Sequence, residues 1–132
     1  MKGVGEGDPI GKSNDIENNT IGWNKQRAGI LCTSGSTATI TYNDILSNRV
    51  YGVWSGSGSN PVINYNNICN NGGGASGPGY GVYNDDSGIT IDSINNWWGH
   101  ESGPYHPTEN PLGQGDKVSD DVDFKPFSGD RF

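Results

Sequence analysis

Few side chains here are equipped for chemistry, and most stand in unsuitable company. Asp85 and Asp86 follow Tyr83 closely, and Asp92 comes further on. Calcium asks for about six to eight converging oxygens. Adjacent residues of an extended chain point to opposite sides, so this pair reads as a solvated turn that can touch a ligand but not cage a cation. His100, Glu101 and His106 sit in a Gly/Pro-rich stretch with no cysteine nearby. Zinc needs three or four suitably spaced ligands, so the histidines read as surface or capping residues. Gly11-Lys12-Ser13 matches only the end of a phosphate-binding loop. The position five before Gly11 is Glu6, and no helix pattern follows. No catalytic residue, metal or cofactor is expected.

A line of large apolar residues is the better candidate. Leu31, Trp54 and Tyr83 each follow a Gly-Ile or Gly-Val pair: Gly29-Ile30, Gly52-Val53 and Gly81-Val82. Strand alternation turns Ile30, Val53 and Val82 inward, so the next residues face out. On stacked strands they stand about 4.8 Å apart. An exposed apolar column of this kind marks an interaction surface, and aromatic faces beside Asn and Asp groups suit sugar rings. Leu31, Trp54, Tyr83, Asp85 and Asp86 form the candidate ligand-binding set, with a carbohydrate or a peptide as the candidate ligand. The blander explanation is that an insertion, the chain's own tail or a second copy covers the column.

The elements that must position these residues are visible as a repeat. An Asn-x-Ile unit recurs as Asn14-Asp15-Ile16, Asn43-Asp44-Ile45 and Asn66-Asn67-Ile68, then as the variant Asn95-Asn96-Trp97. Its Ile residues, closed by Trp97, are separated by 29, 23 and 29 residues. A period of this size marks a solenoid, one coil per repeat. The base coil is 23 residues, and the two longer ones place insertions at Thr20–Arg27 and Asn71–Tyr80. Each coil divides into three short strands: Gly29–Leu31, Gly52–Trp54 and Gly81–Tyr83; Ala38–Thr41, Pro61–Asn64 and Ile89–Asp92; and the Asn-x-Ile units. Asn43 and Asn66 should stack as a ladder, with Tyr42 and Tyr65 as stacked neighbours.

Composition agrees with a narrow core. Leu, Ile, Val and Phe number 24 of 132 residues, and the formal charge is -7. That balance would signal disorder in an irregular chain, but the repeat places the Ile at fixed inward positions. The 22 Gly and 16 Asn are turn residues. The acidic balance argues against nucleic acid and anionic membrane surfaces, and no apolar run is long enough to span a bilayer. No apolar leader stands at the N-terminus, so a cytoplasmic location is the default expectation. Cys32 and Cys69 fall at different registers, too far apart for a disulfide.

From residue 97 the repeat stops. Asn96-Trp97-Trp98-Gly99 leads through Gly103-Pro104 and Asn110-Pro111 to Gly115-Asp116-Lys117-Val118 and Val122-Asp123-Phe124-Lys125-Pro126. An open solenoid end exposes core and strand edge, and Trp97, Trp98, Val118, Val122, Phe124 and Phe127 have the bulk to cover it. The Asn-x-Ile and Gly-Ile/Val pattern resembles the repeat of right-handed parallel β-helices of the pectin-lyase-like superfamily. The stretch from Asn96 to Pro126 resembles the closing segment of bacterial β-helix repeat proteins. The resemblance implies an all-β fold: a short right-handed parallel β-helix of about three coils plus a C-terminal cap. Residues 1–13 would be a lead-in, 14–96 the coils and 97–132 the cap of one domain. Lyases of that superfamily pair a calcium-binding carboxylate cluster with an Arg or Lys base. Here the positions equivalent to Asp85-Asp86 are Thr33-Ser34 and Gly56-Ser57, with no base in register. The expectation is a non-enzymatic binding or structural module; the alternative is a fragment or subunit of a β-helix polysaccharide lyase or hydrolase. Only Val4 and Ile10 offer apolar cover for the first coil, which favours a homodimer.

Overall fold

Three-residue strands separated by sharp corners cannot pair with their chain neighbours, so each pairs with its counterpart one coil away. The computed structural model describes residues 15–17, 19–22 and 27–132. The lead-in 1–13 with Val4 and Ile10, the Gly11-Lys12-Ser13 motif and Asn14 lie outside these. All strand pairing between named strands is parallel. A first wall contains β3 (Ala28–Cys32), β6 (Tyr51–Ser55) and β9 (Tyr80–Asn84). A second contains β1 (Asp15–Glu17), β4 (Thr39–Thr41), β7 (Val62–Asn64), β10 (Ile91–Asp92) and β11 (Val122–Asp123). A third contains β2 (Thr20–Gly22), β5 (Asp44–Leu46) and β8 (Asn67–Cys69). The chain visits the walls in rotation, which is a parallel β-helix.

Inward residues stack in columns. Ile30, Val53 and Val82 are in register in the first wall, Ile40 and Ile63 in the second, and Ile45 and Ile68 in the third. All are buried. The corners explain the asparagines. Tyr42, Tyr65 and Asn95 adopt left-handed backbone angles, and so do Ser47 and Asn70. Each is followed by an Asn whose side chain turns into the coil. Asn19 N–H donates to Asn43 Oδ1 at 2.9 Å, Asn43 N–H to Asn66 Oδ1 at 2.9 Å, and Asn66 N–H to Asn96 Oδ1 at 2.8 Å. The Nδ2 groups of Asn43, Asn66 and Asn96 donate to the carbonyls of Ile16, Ile40 and Ile63. One amide thus satisfies groups that a buried corner would leave unpaired.

A second ladder runs up the next corner. Asn48 N–H donates to Asn71 Oδ1 at 3.0 Å, and Asn71 N–H to Asp116 Oδ2 at 3.0 Å. This ladder explains the glycines of the Gly-Ile/Val pairs. A Cβ on Gly29 would lie 2.8 Å from Asn48 Nδ2, and one on Gly81 would lie 2.8 Å from Asp116 Cβ. The Asn71–Ser76 turn carries the long insertion of its coil, with positive φ at Gly72, Gly73 and Gly74.

Several register assignments change. Ile16 pairs with Ile40, and it is Ile21 that pairs with Ile45. The first Asn-x-Ile unit of the third wall is therefore Asn19-Thr20-Ile21, not Asn14-Asp15-Ile16. Two such units lie five residues apart, and only cross-strand pairing separates them. Thr20–Arg27 is consequently no six-residue insertion: Thr20–Gly22 is β2 itself, and residues 23–26 lie outside the description. At the other end, Asn67 bridges Trp97, so Trp98 takes the inward place after Ile68 and is fully buried. Asp92 pairs with Val62, which makes Ile91–Ile94 rather than Ile89–Asp92 the equivalent of Pro61–Asn64.

The winding continues where the sequence repeat ends. Trp97 extends the third wall, Val118 bridges Val82 in the first, and β11 pairs with β10 in the second. A detour over residues 99–116 separates the first two steps. Trp98, Val118, Val122 and Phe124 are buried in the core, with Phe127 packed against it. The tail then folds back over the third wall. Asn67 Oδ1 accepts from Phe132 N–H at 2.8 Å, and Arg131 pairs with Asp44 at 3.3 Å.

Candidate aromatic binding face

Parallel register puts Leu31, Trp54 and Tyr83 in one outward line across β3, β6 and β9. Leu31 is 66% exposed, and Trp54 and Tyr83 are half-buried. Tyr51 and Tyr80 pair in register beside them, with rings stacked at 6.3 Å and 15°. Tyr83 touches both, with ring centroids 5.2 Å from Tyr51 and 5.0 Å from Tyr80. The face holds two recesses. One of about 750 Å³ is lined by Arg27, Leu31, Thr33, Tyr51 and Trp54. The indole packs on Gly56, where a Cβ would lie 2.5 Å from the Trp54 ring. The second, of about 460 Å³, lies between Tyr80, Tyr83 and the detour residues Tyr105 and His106, with Asp85, Asp120 and Asp121 at its edge.

The two recesses differ in charge. Arg27 lies over the Tyr51 ring at 6.0 Å in the first. In the second, Lys117 Nζ lies 5.8 Å over the Tyr80 ring and donates to the Gly77 carbonyl. The Tyr83 hydroxyl pKa is raised, first by partial burial and then by the Asp85 carboxylate.

A family model described as "Right handed beta helix region" matches residues 4–102. The chain belongs to the right-handed β-helix family. No curated protein and no solved structure matches it. Membership establishes the winding of this β-helix and leaves its ligand open, because activities are grafted on folds.

The residues singled out from the sequence have unequal fates in the β-helix. Leu31 and Trp54 share one recess, and Tyr83 and Asp85 share the other. Asp86 turns away to hold corners. Its Oδ2 accepts from Gly58 N–H and its Oδ1 from Gly88 N–H, both at 3.1 Å. Asp92 accepts from Asn64 Nδ2 at 3.0 Å. His100 is tied to Ser102. His106 is buried, not on the surface. Its Nδ1 accepts from the N–H groups of Thr108 and Glu109, so Nε2 carries the proton and donates to Asp120 Oδ1 at 2.8 Å. With both ring nitrogens engaged, His106 braces the detour and has no lone pair free to act as a base. Among the described residues no three His, Cys, Asp or Glu converge as a metal site. Cys32 and Cys69 are free and buried, and burial pushes both thiols up to about 11.

Tyr51, Tyr80 and Tyr105 went unnoticed in the sequence. The first two had a signal: each immediately precedes the Gly of a Gly-Val pair. Tyr105 had none, since it reaches the face through the irregular detour. A smaller recess of about 300 Å³ lies on the third wall between Tyr42, Tyr65 and Phe132. There Tyr42 and Tyr65 stack at 5.5 Å and 9°, as their positions before the ladder asparagines led one to expect.

Proposed function

We propose that this β-helix is a non-enzymatic carbohydrate-binding module and that the outer face of its first wall is the binding surface. The observation carrying this reading is the apolar recess of about 750 Å³ walled by Leu31, Tyr51 and Trp54, with Leu31 66% exposed. Ligand recesses pair apolar walls with a few polar groups, and an apolar column led by the exposed Leu31 on an acidic, polar chain marks an interaction surface. Ring faces suit the C–H surfaces of sugars, while Thr33 and Asp85 offer bonds to hydroxyls. Titrating soluble oligosaccharides against tryptophan fluorescence tests the reading. Trp54 emission should shift on saturation, and Trp54→Ala and Leu31→Ser should abolish binding without lowering the melting temperature. Light scattering on the same samples addresses the competing occupant. A dimer dissociated by Leu31→Ser, with no sugar response, would assign the face to a second copy.

A further inference from the structure

We propose that the recess beside Tyr83 accepts a primary ammonium carried on a sugar ring, so that the face selects amino-sugar chains over neutral and uronic-acid chains. This inference rests on the carbohydrate reading above and adds the chemical class. The recess is a pocket with an aromatic lining and an acidic edge, about 460 Å³ in volume, within the size range of small-ligand sites. Tyr80, Tyr83 and Tyr105 line it. Its edge carries Asp85, Asp120 and Asp121, against the single cation Lys117. Lys117 is already engaged by the Gly77 carbonyl. Asp120 accepts from His106 Nε2. Among the described residues Asp85 and Asp121 have no ion-pair partner, so two carboxylates remain for an incoming charge.

Those groups match an ammonium in two independent ways. Carboxylates accept short charge-assisted hydrogen bonds from N–H donors, and tyrosine faces attract cations within about 6 Å. The protein supplies its own demonstration, because Lys117 Nζ rests over the Tyr80 ring at 5.8 Å. A uronate carboxylate in the same place would meet three carboxylates at the edge against the one ammonium of Lys117. The other recess, with Arg27 over Tyr51, lacks this acidic edge, so selectivity belongs to the Tyr83 end.

The test titrates the full chain with three soluble hexamers at mildly acidic pH and low salt: glucosamine, glucose joined as in cellulose, and galacturonic acid. Expected is about a tenfold tighter binding of the glucosamine hexamer than of the glucose hexamer, with the galacturonate hexamer weakest, a preference that shrinks as salt is raised. The double variant Asp85→Asn/Asp121→Asn should bring the glucosamine hexamer to the level of the glucose hexamer. Asp121 has φ of 59, a conformation asparagine also tolerates, so the fold is retained. A charge-matched control, Asp15→Asn/Asp123→Asn on the second wall, should keep the preference. Equal binding of glucosamine and glucose hexamers overturns the inference and leaves the carbohydrate reading standing. Equal loss in the control pair also overturns it, by showing an effect of net charge alone. Failure of all three hexamers to bind overturns the carbohydrate reading itself, and this inference with it.

Discussion

The two side-chain ladders turn two corners of the same coils, yet they end differently. One runs Asn19, Asn43, Asn66, Asn96; the other runs Asn48, Asn71 and then Asp116. Asn43, Asn66, Asn96 and Asn71 each do two jobs: the oxygen accepts from the rung before, and Nδ2 donates to a strand carbonyl, that of Ile16, Ile40, Ile63 and Ile45 respectively. Asn48 Nδ2 donates likewise to the Ile21 carbonyl. Asp116 does the first job, accepting from Asn71 N–H and Nδ2. An ionised carboxylate has no hydrogen for the second. Asp116 is 1% exposed, and burial pushes its pKa up to about 6, against the pull of the Asn71 hydrogen bonds. An amide fits this corner because it is donor and acceptor at once, and an acid fits fully only with its proton.

The most severe way to break the comparison is to remove one ending and keep the other. A chain stopped after Asn96 retains the last rung of the first ladder but loses Asp116, together with Trp98, Val118, Val122 and Phe124. It should aggregate or show no cooperative melting transition, because the last coil's core lies open. A soluble 1–96 chain with a sharp melt would show that the final coil is dispensable.

Next come single rungs. Asn66→Ala and Asn71→Ala each strand the buried backbone N–H of the rung before and leave the Ile40 or Ile45 carbonyl without its side-chain donor. Each should cost about 2–4 kcal/mol in denaturant unfolding, given about 1–3 kcal/mol for each unsatisfied buried group. Similar losses at both sites would show that the ladders are equivalent below their ends. A loss within error of zero at either would remove that ladder from the stability account.

Asp116→Asn sharpens the contrast at the ending. The folded pKa of about 6 lies above the ordinary 3.8, so the folded chain holds the proton more tightly. Asp116's contribution is most favourable below about pH 4 and is lost as pH rises through about 6. The displacement corresponds to about 3 kcal/mol. The variant should therefore be the more stable above pH 6, by about 2–3 kcal/mol, with the advantage vanishing near pH 4. Parallel stability curves for the two proteins across that window would refute a protonated rung.

The smallest effect is expected outside both ladders. Arg131 pairs with Asp44 at 3.3 Å and lies over the Trp97 ring at 5.8 Å, but its side chain is 49% exposed. Arg131→Ala should cost less than about 1 kcal/mol, measured as a shift of the urea midpoint. A larger loss would mean that the tail is part of the cooperative core.

The first ladder was readable because Asn43 and Asn66 sit in a repeated motif 23 residues apart. The second has the same spacing between Asn48 and Asn71, yet Ser47 and Asn70 before them share no motif, so the corner passed as ordinary turn residues. Leu31, Trp54 and Tyr83 were legible from strand alternation. Asp120, Asp121 and Tyr105 were not, because they reach the face through residues outside the repeat.

The sequence alone determined the coil length, the three walls and the inward columns of Ile and Val. Those follow from a local rule: in a solenoid each residue's neighbour is the equivalent residue one period away, and a narrow core admits few side chains. Tertiary structure alone decided which of two Asn-x-Ile units opens the third wall, how Trp98 and Val118 carry the winding on, and where the Tyr83 pocket closes. Those contacts join Asn71 to Asp116 across 45 residues and Asn67 to Phe132 across 65. No period links such pairs, so only packing of the detour and tail against finished coils could bring them together.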